Sequence, residues 1–97
     1  MYKVIILPLA KKDIQSAANW YNKQEKGLGK KITKQIRKRV KQIQQDPKTV
    51  AIRYNETRTA IVKGFPYMIH YLVIEQSKQI VVSAVFHTSQ NPKKWRR

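Results

Sequence analysis

Residues 66–75, PYMIHYLVIE, and residues 79–87, QIVVSAVFH, decide the fold of this chain. Both segments are rich in β-branched and aromatic residues, which favour strands. The polar stretch between them, Gln76-Ser77-Lys78, suits a short connection. The two segments therefore predict a β-hairpin near the end of the chain.

The register of this hairpin decides which residues share a face of the sheet. An even number of loop residues places Met68 opposite His87 and His70 opposite Val85, all on one face. The other face then collects an apolar set suited to helix packing: Ile69, Tyr71, Val73, Ile80, Val82, Ala84 and Phe86. We therefore expect His87 to be exposed on the face that no helix covers. An odd loop would mix the two sets and bury His87 beside tyrosines.

The sequence before this hairpin predicts two helices and further strands. Apolar residues recur at helical spacing from Leu9 to Tyr21, Gly27-Leu28-Gly29 marks a turn, and a second stripe begins at Ile32 and ends before Asp46-Pro47. Shorter strands are predicted at Tyr2–Leu7, Val50–Tyr54 and Thr57–Lys63. Residues 1–97 are thus expected to form one α+β domain of order β-α-α-β-β-β. In this two-layer sandwich, a helical hairpin packs on one face of a mostly antiparallel sheet of about four strands.

The composition limits the possible functions. The 97 residues include 21 Lys and Arg against 5 Asp and Glu, a net charge of +16, and 41% are hydrophobic. A chain this basic needs a polyanion or an acidic protein as its partner. The absence of cysteine excludes disulfides, cysteine-ligated metals and thiol catalysis, and no motif indicates a metal or cofactor. The apolar run Val4–Ala10 is too short for a signal peptide or a membrane span, so we expect a cytoplasmic protein without a membrane partner.

Basic residues are concentrated on one face of the second helix and at the end of the chain. No Asp or Glu interrupts residues 26–45, although a helix charged only for solubility normally pairs its lysines with glutamates. This face is either an ordinary solvated surface or a surface for phosphates. The candidate contacts with nucleic acid or another target are Lys34, Arg37, Lys38, Lys41, Lys93, Lys94, Trp95, Arg96 and Arg97. Trp95 either stacks on bases within this basic tail or folds back to cover the core.

His87 is the candidate acid or base of a catalytic site. A histidine titrates near neutrality and can move a proton at an RNA 2′-hydroxyl. Cations from a neighbouring strand, at Arg53, Arg58 or Lys63, would have to stabilise the phosphate. The alternative is that His87 is a polar residue that closes a strand by hydrogen bonding.

The order of motifs along the chain resembles the RelE/ParE superfamily of toxins from type II toxin–antitoxin modules. The resemblance includes the opening strand YKVIILPLAKKDI, Asn19-Trp20-Tyr21, the Gly-Leu-Gly turn, Phe65-Pro66-Tyr67, and the segments AVFH and NPKKW near the end. The pattern is typical of the ParE-like, plasmid-stabilisation branch. His87 lies where some mRNA-cleaving members have a catalytic histidine, but Met68 and Thr88 replace their arginine and aromatic residue.

The resemblance implies a growth-inhibiting toxin and its antitoxin. ParE-like toxins block DNA gyrase, whereas RelE-like toxins cleave mRNA on the ribosome, here with His87. Because methionine cannot stabilise a phosphoryl transition state, gyrase is the first choice and an endonuclease the alternative. The antitoxin is expected to bind through an acidic, amphipathic segment, with Trp20, Met68 and His70 as contacts. A homodimer and a toxin–antitoxin heterotetramer are both compatible with the sequence.

The net charge alone is also compatible with a third hypothesis, a nucleic-acid-binding module without enzymatic activity. Such a module would be harmless when it is expressed without an antitoxin.

Overall fold

Seven regular helices and strands and a short 3₁₀ turn follow one another in residues 1–95, which the computed structural model describes. They are β1 (Lys3–Ile6), α1 (Pro8–Gln24), α2 (Leu28–Gln45), β2 (Ile52–Tyr54), β3 (Thr57–Ile61), β4 (Tyr67–Ile74), β5 (Gln79–His87) and the 3₁₀ turn Pro92–Lys94. The predicted order and the α+β class are confirmed. None of the helices in this part of the chain has the length and hydropathy needed to span a bilayer.

The sheet contains five strands in the order β1-β5-β4-β3-β2. Strand β1 runs parallel to β5, and the other neighbours are antiparallel. The prediction of about four strands was therefore one short, because the three residues Ile52–Tyr54 pair with β3 at one edge of the sheet. At the other edge, β1 pairs with β5, so the first and the last strand in the sequence are neighbours in the sheet.

Helices α1 and α2 form the expected hairpin, and its close approach depends on glycine. Gly27 precedes α2 with a φ of 95°, a conformation that favours glycine. At Gly29, a Cβ would lie 2.6 Å from the carbonyl oxygen of Ala18 and 2.5 Å from the side chain of Asn22. The Gly29 N–H donates to Asn22 Oδ1 at 2.8 Å. Any larger residue at position 29 would push the helices apart.

The face of the sheet toward the helices holds the main core. Apolar residues of both helices, among them Ile32 and Ile36, pack there against Ile69, Ile80 and Val82. Tyr71 is also fully buried on this side, and its hydroxyl donates to the carbonyl of Pro47 at 2.7 Å, which ties the segment after α2 to the sheet. Burial of these side chains supplies most of the driving force for folding.

A β-bulge at Ser83 changes the faces of the last strand. The loop holds four residues, because Ile74 pairs with Gln79, so the expected even loop is confirmed. The register shifts between His70 and Tyr71, however, since His70 pairs with Ala84 and Tyr71 with Val82. Ser83 is the extra residue on β5. Every residue after it points to the face opposite to the one predicted.

The bulge corrects four face assignments. Ala84 and Phe86, predicted on the helix side, lie in a second apolar cluster on the far side, whereas Val85 belongs to the main core. His87 pairs with Tyr67 and contacts its ring at 5.2 Å. The expectation of an exposed His87 on the uncovered face is therefore wrong. It lies beside a tyrosine, the outcome predicted for an odd loop, but a bulge rather than loop length is the cause.

The far side of the sheet is not bare, because Trp95 covers its centre. Only 7% of the Trp95 side chain is exposed, and it packs with Met68, Ala84 and Phe86. Tyr54 closes the cluster from the edge of the sheet, with its ring 5.4 Å from that of Trp95. The alternative in which Trp95 folds back onto the core is thus the correct one.

Candidate functional site

An open cleft between α1 and the end of β5 contains the candidate acid or base. The cleft has a mixed lining of polar, acidic and aromatic side chains, with His87 at the strand end and Trp20 on the helix. Its lining residues are Asp13, Ser16, Ala17, Trp20, Tyr67, Val85, Phe86, His87 and Gln90. It is the helix-side position of His87, imposed by the bulge, that brings the histidine into this cleft.

Hydrogen bonds fix the ring of His87. Its Nδ1 accepts the backbone N–H of Ser89 at 3.0 Å and lies 2.7 Å from the Ser89 hydroxyl. Because Nδ1 is an acceptor, the hydrogen of the neutral imidazole is assigned to Nε2. The neutral ring therefore presents a hydrogen-bond donor, not a base, at its remaining nitrogen.

Asp13 and Tyr67 complete the polar part of this cleft. Asp13 Oδ2 accepts the backbone N–H of Val85 at 3.0 Å, which attaches α1 to the strand just after the bulge. Burial, and next the neighbouring Tyr21, raises the pKa of Tyr67, so its hydroxyl stays neutral near pH 7. The cleft thus holds a carboxyl group, a phenol and an imidazole, and among residues 1–95 no Lys or Arg lines it.

The cations predicted to assist His87 lie elsewhere. Arg58 donates to the backbone carbonyls of Lys48 and Val50 and so holds the loop that follows α2. Arg53 lies over the ring of Trp95, 5.5 Å from its centroid, on the far side of the sheet. Lys63 borders a small cavity beside α2. The predicted catalytic set is therefore divided among separate places in the fold.

Two of the three predicted antitoxin contacts are buried. Met68 is 5% exposed, and His70 is fully enclosed with its Nδ1 2.9 Å from the hydroxyl of Tyr54. Their expected position on an accessible face is wrong, because Trp95 and Phe86 cover them. Trp20 is 55% exposed and packs edge-on against Tyr21 at 5.0 Å. It borders the His87 cleft rather than the interface between the helices.

The predicted basic surface on α2 is accessible. Lys34, Arg37, Lys38 and Lys41 are all exposed on this helix. The ion pairs within residues 1–95 join Lys48 and Lys78 to Glu75 and do not involve α2. Lys93 and Lys94 are exposed on the 3₁₀ turn, whereas Trp95 is buried and does not belong to an open surface. Arg96 and Arg97 lie outside the described residues.

A groove on the outside of the helical hairpin adds polar residues that the sequence did not single out. Gln15, Asn22 and Thr33 line it, together with Lys30, Lys34 and Arg37. Asp13 in the His87 cleft was also missed. The spacing of Asp13, Ala17 and Trp20 at steps of four and three residues places them on one face of α1, and this signal could have identified the cleft. In the described part of the chain, no three acidic or histidine side chains cluster closely enough to hold a metal ion.

Solved structures share this fold at low sequence identity. The toxin chain of the chromosomal ParDE system from P. aeruginosa has a TM-score of 0.80 at 19% identity, covering 92% of this chain and 98% of that one. The isolated E. coli RelE toxin has a TM-score of 0.69 at 15% identity, and the match covers 97% of this chain and 92% of that one. A chain of the intact E. coli RelBE toxin–antitoxin complex has a TM-score of 0.70 at 16% identity, and the match covers 94% of this chain and 100% of that one. Among curated protein sequences, no significant match is found.

A family assignment comes from the sequence itself. The profile described as the ParE toxin of the type II toxin–antitoxin system parDE matches residues 4–92. This range begins in β1 and ends at the 3₁₀ turn, so it includes both helices and all five strands. The chain therefore belongs to the ParE toxin family of type II toxin–antitoxin systems.

Proposed function

We propose that this toxin arrests growth by binding and blocking DNA gyrase, without cleaving RNA. The observation that carries the proposal is the separation of His87 from Arg53, Arg58 and Lys63. Cleavage of a phosphodiester needs cationic or hydrogen-bond donors around the phosphate in addition to an acid and a base. Around His87 the cleft offers an acid, a phenol and a hydrogen-bond donor, and none of the three predicted cations is among its lining residues.

The state of His87 supports the same conclusion. A general base needs an unprotonated nitrogen directed at the substrate. The Ser89 N–H occupies Nδ1, so the neutral ring has only a donor left for a ligand. A donor serves binding to a protein as well as it serves catalysis.

The test compares two purified assays. We expect the toxin to inhibit supercoiling of relaxed plasmid by gyrase with ATP and without ribosomes, and His87→Ala to inhibit equally. Ser89→Ala is the matched control, because it removes only the hydroxyl contact to the ring. Ribosome-dependent mRNA cleavage that disappears in His87→Ala would instead establish the second candidate function.

That second candidate is a ribosome-dependent endonuclease, and one observation favours it. His87, Tyr67 and Asp13 line the same open cleft, so two or more proton-carrying groups are near one another. In this mechanism the cation would have to come from the ribosome, because no Lys or Arg of residues 1–95 lines the cleft.

We also propose that a cognate antitoxin neutralises the toxin through an acidic, amphipathic segment. An apolar trough between β1 and the helices is suited to the apolar side of such a segment. Its lining is Ile6, Ile14, Thr33, Ile36, Arg37 and Val40, with Arg37 available for a carboxylate. This surface replaces the buried Met68 and His70 as the expected contact.

Co-expression with the adjacent open reading frame tests this surface. We expect Val40→Glu to stay toxic but to escape neutralisation, because a carboxylate in the trough would repel the segment and lose its apolar contact. Gln42→Glu adds the same charge at an exposed position outside the trough and should still be neutralised. Retained toxicity shows that the variant folds. Equal neutralisation of both variants would place the antitoxin elsewhere.

A further inference from the structure

The outer face of α2 carries five exposed cations along one line. They are Lys30, Lys34, Arg37, Lys38 and Lys41. At 100° per residue they fall within an arc of about 100°, and at 1.5 Å per residue they span about 16 Å of the helix. The narrow isoleucine stripe of the same helix faces the core, so this arc is directed to solvent.

Helix α2 supplies no acidic residue to neutralise this line of charge. The whole helix Leu28–Gln45 lacks Asp and Glu, and Arg39, which lies outside the arc, donates to the carbonyl of Ile61 and to Gln42. The ion pairs within residues 1–95 are formed at Glu75, far along the chain on the β4–β5 connection. Like charges at a spacing of four residues destabilise an isolated helix, so this arrangement has a stability penalty that a polyanion would relieve.

The neighbouring groove indicates which polyanion fits. Lys30, Lys34 and Arg37 form one side of it, and Gln15, Asn22 and Thr33 supply neutral hydrogen-bonding groups. Three of its eight lining residues are basic and none is acidic, so its charge favours an anion. Single-stranded nucleic acids bind on aromatic side chains, and no aromatic residue lines the groove. The remaining match is the sugar-phosphate backbone of a duplex.

We propose that α2 and this groove form a binding site for the phosphate backbone of duplex DNA, separate from the His87 cleft. Duplex DNA carries one charge per about 1.7 Å of axis, so the 16 Å span of the helix faces roughly ten phosphates. This spacing allows each of the five cations of α2 to contact a phosphate. Because the proposed contacts are with phosphates, which carry no sequence information, the binding is independent of sequence.

The salt dependence of binding measures the number of contacts. With five phosphates neutralised, log K against log salt has a slope of about −4.5, so affinity falls about 500-fold between 50 and 200 mM salt. The measurement uses the purified toxin alone with a fluorescent duplex of arbitrary sequence, so it does not depend on gyrase. A slope near zero, or tighter binding to single-stranded than to duplex DNA of the same length, would overturn the proposal.

Two variants with equal loss of charge locate the site. Lys34→Gln with Arg37→Gln removes two contacts and should reduce the slope to about −2.7, a loss of about 40-fold over the same salt range. Lys93→Gln with Lys94→Gln removes two exposed cations from the 3₁₀ turn and should leave the slope at about −4.5. All four positions are exposed, and thermal unfolding checks that both proteins fold. An equal change of slope in the two variants would mean that net charge, not α2, binds the DNA.

Discussion

The two faces of the sheet are buried by different means. Toward the helices, aliphatic side chains from α1, α2 and three strands share the core, and each is supported by several others. On the far side, the cluster of Met68, Ala84 and Phe86 is closed by Trp95, which comes from beyond the last strand. The difference shows that part of the second face is buried without a helix, although Ile61 and Ile74 on the same face stay exposed. Trp95, with Tyr54 beside it, covers the buried part, so stability there depends mainly on one aromatic side chain.

Removal of the Trp95 side chain should have the largest effect on stability. We expect Trp95→Ala to lower the free energy of unfolding by about 3–5 kcal/mol, as is usual for a buried tryptophan. Trp20→Ala, at a site where 55% of the ring is exposed, should change it by less than about 1 kcal/mol. Urea denaturation followed by circular dichroism measures both. Similar losses for the two variants would contradict the asymmetry between the faces.

Trp95→Phe separates the volume of the cap from its hydrogen bonding. The indole Nε1 of Trp95 is buried and has no acceptor among residues 1–95. Phenylalanine removes this unpaired donor and retains much of the apolar contact, so its effect should be well below that of alanine.

The helix side can be disturbed at the contact between α1 and α2. We expect Gly29→Ala to destabilise the protein by about 1–3 kcal/mol, because the new Cβ would clash with Ala18 and Asn22. Adding Asn22→Ala should restore only part of the loss, since the Ala18 carbonyl belongs to the backbone and cannot move away. Thermal unfolding provides the comparison, and full restoration by the double variant would argue against the backbone clash.

Two tyrosines allow a matched test of hydrogen bonds on the two faces. Tyr71→Phe leaves the buried Pro47 carbonyl without its donor and should cost about 1–2 kcal/mol. Tyr54→Phe removes the contact to His70 Nδ1, and because His70 is fully enclosed, the cost should also be about 1–2 kcal/mol. Chemical denaturation measures both losses. A loss below about 0.5 kcal/mol in either variant would show that its hydrogen bond adds little to folding.

The smallest effect on stability is expected at Glu75, which belongs to neither apolar cluster of the sheet. Hydrogen bonds from Tyr2 and then Lys78 lower the pKa of this exposed carboxyl to about 2. A lowered pKa in the folded state adds stability above the unfolded value near 4.5, and this contribution is lost as the pH falls toward 2. Glu75→Gln should therefore reduce the change of the melting temperature with pH between pH 4.5 and 2. An unchanged acid profile in this variant would show that the contacts of Glu75 add nothing to folding.

The elements of this fold were predictable because their signals are local. Helical spacing located α1 and α2, and β-branched runs located the strands to within a few residues. The parallel pairing of β1 with β5 was not predictable, since it joins residues more than 70 positions apart and no local pattern records it. The estimate of about four strands was one short although Val50–Tyr54 was itself predicted as a strand, because so short a segment does not show whether it pairs with the sheet.

The candidate site was predicted only in part. The charge on α2 followed directly from the absence of acids, and His87 was identified, but its surroundings were wrong. Alternation along QIVVSAVFH gives no warning of an irregular residue, although Ser83 is the one polar residue between Ile80 and Phe86. The burial of Met68 and His70 depends on where Trp95 docks, which is a long-range event that sequence periodicity does not encode.

The extra residue in β5 also bears on how related chains should be aligned. Without Ser83, Val82 would still point to the helices and Ala84 away from them, because the irregular pairing would simply become regular. A homologue that is one residue shorter at this position would keep every later side chain on its present side. A gap placed there preserves the structural equivalence of His87, whereas an ungapped alignment would match it with a residue from the opposite face.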